Sequence, residues 1–215
     1  MDGKTRREQI IAAEWEMFQT TRNKGGRASC QNNHTTFFNM RMAQFEAWSD
    51  AAAQSYWEDL RTAAGQGRNL IAEKYLHMMK KTHPAEYEAQ KHFLPLISEE
   101  KRALAEEICD EMIAQTVLLH EAYPHVAKTG RPLFSNADKY GVTSIQTYQM
   151  GELLTYSEKT LRLLKEHLFA LKDAGRSLAG EVIARSICSY GFSSLEEAEV
   201  FLAVGETRGT AQEEP

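Results

Sequence analysis

The 215 residues carry 25 Lys+Arg against 30 Asp+Glu, a net charge of -5, and 42% of them are hydrophobic. That balance supports one core of domain size and argues against nucleic acid or an anionic membrane as partner. No window of about 18 apolar residues could span a bilayer, the first residues lack an apolar signal core, and three widely spaced cysteines, Cys30, Cys109 and Cys188, read as reduced thiols in a cytoplasm.

Helical periodicity runs through almost every segment, and no alternating strand pattern survives a count. The first helix is expected over 5–22, with Ile10, Ile11, Trp15, Met17 and Phe18 on one face and Glu14 near its centre. The stretch "NKGGRASCQNN" at 23–33 follows. Gly25 and Gly26 there admit left-handed backbone at the helix end, and Asn32 or Asn33 can cap the next helix. That second helix is expected as one piece over 34–63. Phe37, Phe38, Met42, Phe45, Trp48, Tyr56 and Leu60 share its face, and Arg41 sits in the middle. "GQG" at 65–67 separates it from a third helix over 68–81, and Pro84 and Pro95 bracket a connector with one irregular helical turn.

A helix over 98–122 precedes the longest irregular stretch, 124–144, of a length that often serves as a lid or binding loop. The next helix is expected as one piece over 146–173. Its core face holds Met150, Leu153, Leu154, Leu161, Leu164, Leu168 and Leu171, with Ser157 in the middle; Tyr148, Glu152 and Tyr156 cluster on another side. Helices over 177–190 and 195–204 end the chain, the last opened by a capping box of Ser194 and Glu197. The expectation is all-α: a single-domain irregular helical bundle of about six to seven helices over 1–215, with 206–215 as a disordered tail.

The two charges inside apolar stripes carry the site argument. A carboxylate or guanidinium buried alone costs several kcal/mol even after relaxation, so Glu14 and Arg41 either pair or line one polar pocket between their helices; the alternative is that both snorkel outward. Cys30 precedes a helix N-terminus and lies three residues from Arg27, a setting that favours a thiolate or an anion; its blander reading is a small buried hydrophobe. Glu152 between two tyrosines could act as acid or base beside hydroxyl donors, or belong to an aromatic rim.

Other constellations fail on spacing. Di-iron bundles need two Glu-x-x-His motifs, whereas Glu73/His77 and Glu88/His92 are four apart. Cys30 and His34 have no second pair for zinc. Arg162 and His167 have the R-x4-H spacing of helical ribonuclease toxins of the HEPN type, but Leu163 stands where those carry a polar residue.

Taken in order, "EWEMFQ", "NKGGRASCQNN", "FNMRMAQFEAW", "YLHMMKKTHPAE", "SIQTYQMGELLTYSEKTL" and "YGFSSLEEAE" resemble a bacterial family catalogued as a domain of unknown function, over roughly residues 10–202. The matching positions are Glu14, Trp15, Gly26, Arg27, Cys30, Gln31, Arg41, Gln44, Glu152, Tyr156 and Ser157; Gln146 stands where the family pattern most often has Glu. The resemblance brings no activity with it. Some relatives are fused to a nucleotidyltransferase-like domain, which implies an accessory role beside such a partner, although no strand or Gly-Ser-acidic motif of that domain occurs in these 215 residues.

The functional expectation is a cytoplasmic protein with a polar pocket for a small anionic metabolite. Glu14, Arg27, Gln31 and Arg41 would bind, and Glu152, Cys30 or Tyr156 would do any chemistry. No metal ligand set and no cofactor is indicated, and a homo-oligomer stays open. The second expectation is a non-catalytic binding or accessory module, in which the same polar set only holds the bundle together.

Overall fold

In the computed structural model the described residues are 5–22, 26, 27 and 29–210, the side chains of 206–210 excepted. The chain is all-helical over these residues, with one isolated bridge between Lys139 and Val142 around Gly141. Eleven α-helices are described rather than six to seven, and local capping chemistry accounts for most of the difference.

The first helix, α1 (Arg6–Thr20), opens on a capping box of Thr5 and Glu8. What was expected as one helix over 34–63 is two, α2 (His34–Glu46) and α3 (Asp50–Gly65). Ser49 caps α3 by accepting from the Ala52 amide. The freed carbonyls at the end of α2 are taken by other helices: Arg7 Nε donates to Phe45 O at 2.8 Å, and His167 Nε2 donates to Ala47 O at 2.8 Å. Next come α4 (Leu70–Thr82) and α5 (Pro84–Gln90), the latter with proline in its first turn. The long α6 (Glu99–Ala122) is followed by a short α7 (Pro124–Lys128), which sits inside the stretch expected to be irregular.

The helix expected over 146–173 is also two, α8 (Ile145–Leu153) and α9 (Glu158–Asp173). Ser157 is the reason. It is the cap of α9, accepting from the Thr160 amide, while Asp59 of α3 accepts from the Ser157 amide at 2.9 Å. Then come α10 (Leu178–Ser189) and α11 (Leu195–Thr210); residues 211–215 lie outside the described residues. Ser194 does accept from the Glu197 amide at 3.2 Å, but the Glu197 carboxylate returns to the amide and hydroxyl of Ser193 rather than to Ser194.

Packing sorts the helices into two layers. α1 packs on α2, α3 and α4, while α6 packs on α8, α9 and α10. The layers meet through α4 on α8, α3 on α9, and α2 on α10; α11 lies outside, against α7 and α10. The core between them is built from Ile10, Phe45, Tyr56, Leu60, Ile108 and Leu164 with their neighbours. No helix among the described residues is long and apolar enough to cross a membrane.

Candidate functional site

Glu14 and Arg41 meet at the centre of the N-terminal layer. Arg41 Nε donates to Glu14 Oε2 at 2.7 Å and its Nη2 to Glu14 Oε1 at 2.6 Å, the bidentate geometry that favours arginine over lysine. The same guanidinium reaches across the layers: Nη2 donates to Glu152 Oε1 at 2.9 Å. A fourth charge completes the group, Lys74 of α4, whose Nζ donates to Glu152 Oε2 at 2.5 Å and stands 3.7 Å from the Tyr148 ring centroid. Tyr56 donates to Glu14 at 2.7 Å, Tyr156 to Glu152 at 2.6 Å, and Gln44 Nε2 to Glu152 at 2.8 Å. Glu14 is completely buried, and Arg41, Lys74 and Glu152 are nearly so.

Two carboxylates balance two cations, and every carboxylate oxygen has a donor. Burial pushes the Glu152 carboxyl up, but Arg41 and Lys74 outweigh it and hold the acid well below the ordinary carboxylate range. Burial and the adjacent Glu152 raise the Tyr156 hydroxyl well above its usual value, and burial with Glu14 does the same for Tyr56. Both phenols are therefore held as donors. Gly151 makes the arrangement possible. A Cβ there would lie 2.9 Å from Met78 Cγ and 3.0 Å from the Lys74 carbonyl oxygen, so only glycine lets α8 settle against α4 and bring Glu152 to Lys74. Lys74 was legible by the same rule that exposed Glu14 and Arg41: it lies three and four residues from Leu70, Ile71 and Met78 along one stripe of α4.

The loop residues are placed otherwise than expected. Gln31 is buried, with its amide donating to Phe18 O at 2.7 Å and Thr21 O at 3.0 Å, so it closes the end of α1. Arg27 donates to Asn32 Oδ1 and to Gln31 O, both at 2.8 Å, and to Gln19, which leaves its guanidinium engaged by the protein's own oxygens. Cys30 is exposed on a 3-10 turn, Ser29–Asn32. Gly26 has the left-handed φ of +89° expected of this turn, while Gly25 lies outside the described residues. Glu14, Arg41, Glu152 and Tyr156 are thus brought together as a closed network, and Arg27, Gln31 and Cys30 stand apart from it. The R-x4-H pair is spent structurally: Arg162 pairs with Glu100 and Glu158, and His167 holds the α2 end.

An open cleft of about 610 Å³ lies on the adjoining face of α8, a position the sequence reading missed. α4 supplies His77, Lys80 and Lys81, α6 supplies Arg102 and Cys109, and α8 supplies Met150, with Leu154 just after its end. The volume falls in the range of small-molecule sites. His77 Nε2 is buried and has no hydrogen-bond partner. Burial, then Lys101, Arg102 and Lys80, lower its pKa to about 4, so the imidazole is neutral at pH 7. Along α6, burial with Asp110 and Glu106 pushes the Cys109 thiol up to about 12, which keeps it protonated and inert. Cations gather at the His77 end and acids at the Cys109 end.

Residues 4–200 match the family described as a protein of unknown function, DUF4125, and the chain belongs to that family. Neither the curated proteins nor the solved structures compared with it contain a match.

Proposed function

We propose that the protein is a binding module that takes a small anionic molecule in the cleft between α4, α6 and α8, and that the buried charge cluster is its structural keystone. The observation that carries this reading is a cleft of about 610 Å³ into which three cations, Lys80, Lys81 and Arg102, are brought together. Among the described residues none of the three has an ion-pair partner. An anionic group seated in the cleft meets these cations, and hydrogen bonds from a charged donor to a charged acceptor are the strong ones.

The charge cluster supports the division of labour. A general acid or base must reach a substrate proton, yet both oxygens of Glu152 are already occupied and its carboxyl is held ionised. Its service is to the cleft: α4 and α8 pack directly on each other beside it, and the Lys74–Glu152 contact over Gly151 fixes their spacing. The test is native mass spectrometry of freshly purified protein beside Glu106→Trp, which sets an indole across the cleft from an exposed position on α6. The wild type is expected to retain a small-molecule mass that the variant lacks, at similar melting temperature. An adduct of equal occupancy in both overturns the assignment.

A further inference from the structure

The cleft is not uniformly polar. Leu94, Ile97, Met150 and Leu154 line it as well. Leu96, which lines the cleft, is 102% exposed, and Phe93, three residues before it in the chain, 71%. Single exposed apolar residues are ordinary, but here they continue an apolar wall out of a cleft, the arrangement that marks a binding groove. A purely ionic metabolite leaves that wall wetted. Nearby, Lys91 is tied to Glu88 at 2.6 Å, so the free positive charge concentrates at Lys80, Lys81 and Arg102. The acids that face the same space, Glu106 and Asp110, lie beside Cys109 on α6. The cleft therefore has a direction: Lys80 and Arg102 gather about His77, Glu106 and Asp110 about Cys109, and apolar side chains line the rest.

Resting on the cleft reading above, we propose that the ligand is an amphiphile. An apolar chain or ring lies along Leu94, Ile97, Met150 and Leu154, and a terminal carboxylate or phosphate is held by Lys80 and Arg102. The two cations, on α4 and α6, close on the same group from either wall, beside the neutral imidazole of His77. The acidic end disfavours a second anionic group on the far side of the molecule, so the ligand carries its charge at one end. Carboxylate and phosphate heads share this chemistry, and the measured affinities separate them.

The experiment titrates the full chain by calorimetry with decanoate, decyl phosphate, 1-decanol, decyltrimethylammonium, acetate and inorganic phosphate. Decanoate or decyl phosphate is expected to bind, the tighter of the two naming the head group. 1-Decanol is expected to bind at least tenfold more weakly, and acetate, inorganic phosphate and the ammonium amphiphile not measurably. The double variant Lys80→Gln/Arg102→Gln, both on exposed positions, should weaken the anionic amphiphile at least tenfold while leaving 1-decanol unchanged. Equal affinity for 1-decanol and decanoate, or an unaffected double variant, overturns the head-group assignment while leaving the cleft in place. Failure of every decyl compound to bind overturns the amphiphile and leaves the cleft reading to its own test. Unchanged decanoate affinity in Glu106→Trp overturns the cleft reading itself.

Discussion

At the scale of single residues, the account rests on four charges that neutralise one another out of water. Each ion costs several kcal/mol to desolvate, and excellent geometry offsets that cost only while every partner is present. Arg41→Met removes the one cation that touches both carboxylates, and it should destabilise the protein by about 3–5 kcal/mol in chemical denaturation. Glu152→Gln tests the linkage. The folded carboxyl lies below its unfolded value, so the stability it contributes is present above the unfolded carboxylate pKa of about 4.3 and is lost as pH falls through the lower folded value. The expected result is a lower melting temperature for Glu152→Gln near neutrality and a gap to wild type that narrows in acid; a constant gap across that range contradicts the assignment. Glu14 and Arg41 were legible because a charge in the middle of an apolar stripe must find a partner, and Lys74 obeyed the same rule unnoticed. Gln31 and Arg27 were not legible as structural groups. Nothing in the loop's composition distinguishes an amide that closes a helix end from one that awaits a ligand.

At the scale of elements, the sequence announced helices well and their interruptions poorly. Ser49 and Ser157 each stand inside an apolar periodicity that runs straight through them, although a serine followed by an acidic residue is the local signal of a new helix start. Long-range partners decide such breaks: Arg7 and His167 take the carbonyls at the end of α2, and Asp59 takes the amide at the start of α9. A side chain one hundred residues away is invisible to a local pattern. Ser157, once an anomaly on a core face, is explained by its cap. Gly151 is the tightest point between elements. Gly151→Ala must move Met78 and the Lys74 carbonyl, and overpacking of this kind costs about 1–3 kcal/mol. The variant should also lose affinity for whatever occupies the cleft, since α4 and α8 are its walls. A melting temperature equal to wild type removes Gly151 as the spacer.

At the scale of the whole molecule, the cluster draws Glu14, Arg41, Tyr56, Lys74 and Glu152 from five different helices onto one point, with Tyr156 from the α8–α9 junction. The all-helical class followed from periodicity alone. The cleft did not, because its residues come from α4, α6, α8 and the connector after α5, and only the packing of the two layers brings them together. The polar set that drew attention in the sequence lies next to this opening and holds its walls. The central claim is that an anionic group seats on Lys80 and Arg102, beside His77, in that opening. Its most direct measurement is the imidazole signal of His77 by NMR at pH 7 as decanoate, and in parallel decyl phosphate, is added to the full chain. A saturable shift at His77, lost in Lys80→Gln/Arg102→Gln, is the predicted result. A His77 signal that stays fixed while resonances elsewhere respond to the bound compound contradicts it.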